Sequence, residues 1–406
     1  MEKLFFVLIC FVFLFTSCGR KGQKYYDNGV TKFNNKDYKG AILDFNNAIK
    51  LDTNYAEAYN KRGIATFKQF SFLAVADFNK AIEIDSMFSE AYFNKGLMYT
   101  DITFLRYVAI ENFTKAIEIN PKYVEAYFQR GLVNTSDNNL KDAYFDFCKA
   151  LEIDPNYAAA YCYRGIIESK NQNYKKAFED INKAIEINPK ESNFLFERSI
   201  IKSKLKNFSE SIIDLDLAIE LNPDNVNYYF NRGLNKCDLK DYRNGISDFC
   251  IAIKIDPKHA DSYFNRALSK ANLEDFRGAL ADLTIAIEIN PKNAKYYHYR
   301  GLAKKDLTDN TGALEDFSKA IFYDKQMDGS YSEIARIKFE NRSYNEALLF
   351  LDKAIEINSN SGENYYYRGV VKLNLGLKNS GCLDLSKAGE LGNESAYMLI
   401  KKYCNN

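Results

Sequence analysis

Arginines recur along the 406-residue chain at Arg62, Arg130, Arg164, Arg198, Arg232, Arg266, Arg300 and Arg368, a column of guanidinium groups that could serve as an anion-binding ladder. Sixteen residues after most of them stands an aspartate, as Asp146, Asp180, Asp214, Asp248, Asp282, Asp316 and Asp384, with Asp77 fifteen after Arg62. The two sets fail together: Ile334 and Phe350 fill both places in one stretch, and Lys95 and Asn112 weaken both in another. Stranding one buried charge costs about 3–5 kcal/mol whereas a matched apolar pair is tolerated, so joint replacement marks the two as partners. This offset leaves Asp44 without a basic partner, while pairing each aspartate with the following arginine would strand Arg130, Asp316 and Arg368. The pattern therefore assigns structural ion pairs, Arg130 with Asp146, Arg164 with Asp180, Arg232 with Asp248 and Arg266 with Asp282.

Other chemistry is sparse. The chain has 8 cysteines and 2 histidines, His259 and His298, and no cysteine pair has C-x-x-C spacing, so no metal site can be assembled from them. Cys148 with Cys162, or Cys237 with Cys250, are close enough in sequence to meet across helices, and free buried thiols are the other reading. His298 has no acid, nucleophile or second histidine placed to work with it. No Gly-rich phosphate loop or nucleophile motif is present, so neither enzymatic activity, a cofactor nor a small-molecule substrate is expected. With 55 basic and 54 acidic residues the charge is near zero, which gives no footing for nucleic acid.

The elements that would position these residues follow from a repeat. Pro121, Pro155, Pro189, Pro223, Pro257 and Pro291 are spaced 34 apart, each after Asn or Asp, where a helix must stop and the chain turn. On the same period lie small residues (Gly29, Gly63, Gly96, Gly131, Gly165, Ser199, Gly233, Ala267, Gly301, Ala335, Gly369), an aromatic four residues before nearly all of them, and an unvarying alanine from Ala48 to Ala388. Spacings of three and four place each set on one helix face, and small groups opposite large ones let two antiparallel helices approach closely. One period is thus a helical hairpin that must stack on its neighbours to bury its apolar stripe.

These residues resemble the tetratricopeptide repeat over roughly residues 22–392, with tyrosine in place of the family's tryptophan, arginine in place of its leucine and, most often, lysine in place of its second aromatic. The resemblance implies an all-α, right-handed superhelical solenoid of about eleven hairpins. Two slips belong to turns: the stretch Gly63 to Ala74 is one residue short and Gly96 to Ala109 one residue long. Residues 393–406 read as one more helix, capping the last open interface with a polar outer side.

In the resembled family the first helix of each hairpin lines a concave groove, and the residue three before the small one projects into it. Here those residues are Phe93, Phe128, Phe196, Phe230, Phe264, His298 and Tyr366, interrupted by Asn60 and Cys162. One place after the small residue come Ile64, Leu97, Leu132, Ile166, Ile200, Leu234, Leu268 and Leu302, on the same stripe. Either the rings line an apolar groove that takes an amphipathic helix or extended apolar peptide, or they pack between adjacent first helices. Lysine and asparagine pairs that would bind an acidic chaperone tail are absent from the corresponding positions.

The chain start differs in kind. Lys3 precedes an apolar run from Leu4 to Phe15, followed by Thr16, Ser17 and Cys18. Twelve apolar residues are too few to span a bilayer. The segment resembles a bacterial lipoprotein signal with its lipobox, although Phe15 stands where the family usually has leucine. This implies a signal peptide over 1–17, a lipidated N-terminus over 18–21 with the lipid on Cys18, and a membrane anchor in the bacterial cell envelope, exposed to the periplasm or exterior. The expected function is a membrane-anchored scaffold that binds a protein or peptide, in envelope assembly or secretion. A self-associating structural envelope protein is the alternative.

Overall fold

The computed structural model describes residues 20–69 and 72–404. Cys18 and the lipobox segment lie outside the described residues, as do residues 70 and 71 in the shortened turn. Within the described residues there are 23 α-helices, one 3-10 turn at Thr103–Leu105 and no strand. No helix among them is long and apolar enough to cross a membrane. The chain divides into two compact units, Met1–Glu197 and Arg198–Asn406. The same construction runs through each: antiparallel pairs such as Val124–Ser136 with Leu140–Ile153 in the first, and Ala294–Asp306 with Asn310–Tyr323 in the second.

Both kinds of turn are set by local chemistry. Between hairpins an Asp or Asn leaves the helix with extended backbone, and its carboxylate or amide oxygen accepts the N–H two residues on, as Asp154 does from Asn156 and Asp256 from Lys258. The prolines follow such residues and lack the N–H that would continue the helix. Within hairpins the chain turns through one residue with positive φ: Lys36, Asn138, Gln172, Lys206, Lys240, Glu274, Thr308, Arg342 and Gly376. Only the last is glycine, so the others carry an intrinsic cost of roughly 1–2 kcal/mol each, offset by the hydrogen bonds that close the turn. The lengthened stretch rebuilds this turn as the 3-10 segment, and Arg106 crosses from it to Asp137 of the next turn at 2.9 Å.

Close helix approach comes from a complementarity that the structure makes visible. A Cβ on Gly29, Gly63, Gly96, Gly131, Gly233 or Gly301 would fall 2.6 to 2.7 Å from a ring carbon of Phe45, Phe78, Phe113, Phe147, Phe249 or Phe317. Each of those rings is fully buried. Where the small residue is Ser199, Ala267 or Ala335, the corresponding position on the second helix is Leu215, Leu283 or Leu351. At these three places the extra atom on one helix is matched by a slimmer side chain on the other, although Ile181 and Leu385 also stand opposite glycines, Gly165 and Gly369.

The last helix, Glu394–Tyr403, seats Ala396 against Leu385 and Ala388 and is tied down by a disulfide between Cys382 and Cys404. Cys148, Cys162, Cys237 and Cys250 are all free. Neither pairing suggested by sequence proximity forms, and the bond that does form joins residues that only the fold of the terminal helix brings together. The outer side of that helix is not simply polar. Tyr397 and Met398 are 57% and 71% exposed.

Candidate functional site

The arginine column is committed to the frame. Arg130 donates Nε and Nη2 to the two oxygens of Asp146 at 3.0 and 2.7 Å, and Arg164 does the same to Asp180 at 2.8 and 2.6 Å. Arg232 reaches Asp248 at 3.1 and 2.6 Å, and Arg266 reaches Asp282 at 2.9 and 2.6 Å. Such fork-to-carboxylate pairs are directional as well as strong. The guanidinium does more than the sequence revealed. Its third face donates to the second helix of the preceding hairpin, to Thr114 from Arg130, Asp216 from Arg232 and Cys250 from Arg266. The tyrosine three residues earlier lies beneath it, at 5.4 Å for Arg164 over Tyr161. Arg130, Arg232 and Arg266 therefore each rivet a hairpin to its neighbour.

Lysines that replace the family's second aromatic complete the site. Lys236, Lys270 and Lys304 bind the second oxygen of Asp248, Asp282 and Asp316 at 2.7 to 2.8 Å. Asp44, which lacked a basic partner in the sequence pattern, pairs with Lys32 at 2.7 Å through the same arrangement. The correction has a simple cause: the lysine lies one helical turn beyond the arginine position and reaches the same carboxylate.

The residues expected on the groove are partly or fully buried. In the first unit, Phe93 meets Phe113 and Tyr123, and Phe128, 7% exposed, meets Phe147, Tyr157 and Tyr163. Phe196 is partly buried at the end of that unit. In the second, Phe230 meets Phe249 and His259, and Phe264 meets Tyr296 and Tyr299. His298 lies tilted against Phe317, ring centroids 5.6 Å apart, and shares a hydrogen bond with Ser330 at 2.9 Å. Burial holds its imidazole below the ordinary histidine range against the pull of Glu333 and Asp328. Tyr366 packs on the Leu385 cluster. The aliphatic residues one turn later, from Ile64 to Ile166 in the first unit and Ile200 to Leu302 in the second, all keep part of their surface exposed.

That aliphatic column is interrupted by Arg336, a feature sequence reasoning passed over although the position was visible in the repeat. Its guanidinium lies 5.3 Å from the Tyr367 ring and reaches Glu333 and Glu363 at 3.1 and 3.3 Å. Lys305 pairs with the same Glu333, and Ser332 with Asn364 at 2.7 Å. This is also the hairpin in which Ile334 and Phe350 replace the buried ion pair, and both are packed in one apolar cluster. Among the described residues, no three His, Cys, Asp or Glu side chains converge as a metal site.

Comparison with known proteins agrees with this frame. Models of the tetratricopeptide repeat match residues 124–157 and 158–191, and a further TPR repeat model matches residues 31–69. No curated protein sequence matches the chain. Among solved structures, YrrB, described as a TPR protein with an unusual peptide-binding site, is 27% identical over 51% of this chain and 97% of its own, with a TM-score of 0.39. Yeast Tom70 is 16% identical over 94% of this chain and 95% of its own, with a TM-score of 0.44. A tetratricopeptide repeat protein from Parabacteroides merdae is 17% identical over 61% and 98%, with a TM-score of 0.48. The chain is an all-helical protein that contains tetratricopeptide repeats.

Proposed function

We propose that the protein is a membrane-anchored interaction scaffold that binds a peptide or helix of another protein along the face of its first helices, without catalysing a reaction. Proteins built from tetratricopeptide repeats are generally interaction scaffolds. The observation that carries the reading here is the aliphatic column, Ile64 to Ile166 and Ile200 to Leu302, every member of which keeps part of its surface exposed beside the ring column on the first helices. The ring column, Phe93, Phe128, Phe196, Phe230, Phe264, His298 and Tyr366, would form the floor beneath it, so a ligand would rest on aliphatic side chains and ring edges. Anchoring would come through lipid on Cys18, in the bacterial envelope. The disulfide Cys382–Cys404 supports an oxidising compartment of that kind.

The test is a crosslinking pull-down from native membranes with the mature protein and with Leu132→Lys and Leu234→Lys variants, circular dichroism first establishing that all are folded. A partner captured by the wild type should be lost with the variants. Retention of the same partner would move the function to another face. Cys18→Ser should release the protein from the membrane fraction. Self-association is the second reading, favoured by the exposed Tyr397 and Met398 on the helix Glu394–Tyr403. Light scattering of the partner-free protein would then show mass rising with concentration.

A further inference from the structure

In the second compact unit a cavity of about 520 Å³ opens between the helices Gly362–Asn374 and Glu394–Tyr403. It exists because one hairpin omits a ring. Tyr174, Phe208, Tyr242 and Phe276 stand six residues before Asp180, Asp214, Asp248 and Asp282, at the start of their second helices. Tyr344 holds the same place before Phe350 and packs on Phe339 of its own first helix, ring centroids 5.8 Å apart. Six residues before Asp384 stands Lys378, whose slender side chain leaves that space open. Three hairpins earlier, Ala271 and Ala303 also leave a gap, but Phe276 lines it and its volume is about 260 Å³. Small-molecule sites occupy roughly 300–1,000 Å³, a range the larger cavity enters and the smaller does not.

The lining of the larger cavity has two characters. Val370, Leu373 and Leu399 supply aliphatic surface, and Lys378 and Lys402 supply positive charge. No carboxylate is among the described residues that line it, whereas Asp306 lines the smaller gap. Lys402 pairs with no carboxylate among the described residues. Its ammonium lies 5.0 Å from the centroid of the neutral Tyr403 ring, a contact that leaves the charge uncompensated. The walls are also held together covalently: Cys404 follows Tyr403, and its disulfide partner Cys382 lies on the helix that begins with Lys378. A ligand therefore meets a site whose two sides are already joined.

From an aliphatic lining beneath uncompensated ammonium groups, we infer that this cavity binds a small aliphatic carboxylate. The alkyl chain rests on Val370, Leu373 and Leu399, where it leaves water. The carboxylate accepts charge-assisted hydrogen bonds from Lys402 and Lys378. An alkyl ammonium would meet two like charges, and an alkyl alcohol would forgo the charged hydrogen bonds, so the site discriminates by head group as well as by chain. The molecule is a ligand and not a substrate, and it is separate from the protein partner proposed above.

The experiment is isothermal titration calorimetry of the Cys18→Ser protein, purified without detergent, with octanoate, octanol, octyltrimethylammonium and acetate, each below its micellar concentration. Octanoate should bind about tenfold or more tighter than the other three, because each of them lacks either the chain or the negative charge. Lys402→Glu, at an exposed position, should weaken octanoate about tenfold or more. Lys378→Phe introduces the ring found at this place in other hairpins, so it should fill the cavity and abolish binding while circular dichroism stays unchanged. Hydrogen exchange with octanoate present should slow in 370–378 and 394–403 and stay the same in the first unit. The site is overturned if octanoate does not bind, if octanol or octyltrimethylammonium binds equally well, or if either variant leaves octanoate binding unchanged. Protection that appears elsewhere and not in these segments would equally remove the cavity as the site.

Discussion

Replacing Arg164 by isoleucine offers the sharpest test of the charge pairing. Its Nε and Nη2 hold both oxygens of Asp180, and side-chain exposures of 22% and 12% leave the pair largely desolvated. The hydrogen bonds to Asp180 raise the guanidinium further above its ordinary range, so the charged pair is favoured by the fold. Asp180 has no lysine in the place that Lys236 takes beside Asp248, because Glu168 stands there and is bound by Asn173 at 2.7 Å. Removing the arginine would leave two carboxylates near each other, at a cost of about 3 kcal/mol, the lower end of the range for breaking a buried pair. Arg232→Leu should cost less, about 1.5 kcal/mol, the low end for a lost hydrogen bond to a charged group, because Lys236 still neutralises Asp248. Adding Asp180→Phe to Arg164→Ile reproduces the arrangement of Ile334 and Phe350 and should restore most of the loss. The assay is hydrogen exchange of amides in the hairpin 158–187 together with urea unfolding, since a repeat array can open locally. Additive damage in the double-mutant cycle would refute the pairing as the cause.

Gly301→Ala gains about 1 kcal/mol of helix propensity but drives a Cβ to 2.7 Å from the buried Phe317 ring, an overpacking cost of about 1–3 kcal/mol, so net destabilisation is expected. Phe317→Leu in the same chain should relieve it, and urea midpoints that show no relief would discredit the glycine-phenylalanine complementarity. Reducing Cys382–Cys404, whose partners are 22 residues apart, should cost about 3 kcal/mol, read as faster exchange in 362–390 and 394–403 with the first unit unchanged. His298 should make stability depend on pH: its folded pKa lies below 6.5, so the unfolded chain binds the extra proton first. Its contribution is therefore complete above about 6.5 and is lost as pH falls from there through the folded value. Melting temperatures of His298→Gln should lack that component, and an unchanged profile would show that the imidazole is not the group responsible.

The helices and their pairing were legible because their determinants are local. Turn-forming Asx-Pro steps, apolar spacings of three and four, and a period of 34 specify one hairpin, and repetition specifies the next. The buried ion pairs were legible for a different reason: Ile334 with Phe350 is a natural double replacement within the same chain. The sequence did not mark the positive-φ turns at Lys36 or Gln172, since their residue types carry no glycine signal. Nor did it reveal that Arg130, Arg232 and Arg266 also reach the preceding hairpin, or that Lys32 serves Asp44. What tertiary structure alone decided lies between hairpins: the disulfide of Cys382 with Cys404, the contacts of Phe128 with Tyr163 and of Phe264 with Tyr299, and the gap left by Ala271 and Ala303. The physical reason is that a residue type states what a side chain contributes at its own place. Whether a ring is covered, a thiol meets another or a small residue leaves a hole depends on what the neighbouring hairpin brings to the same point in space.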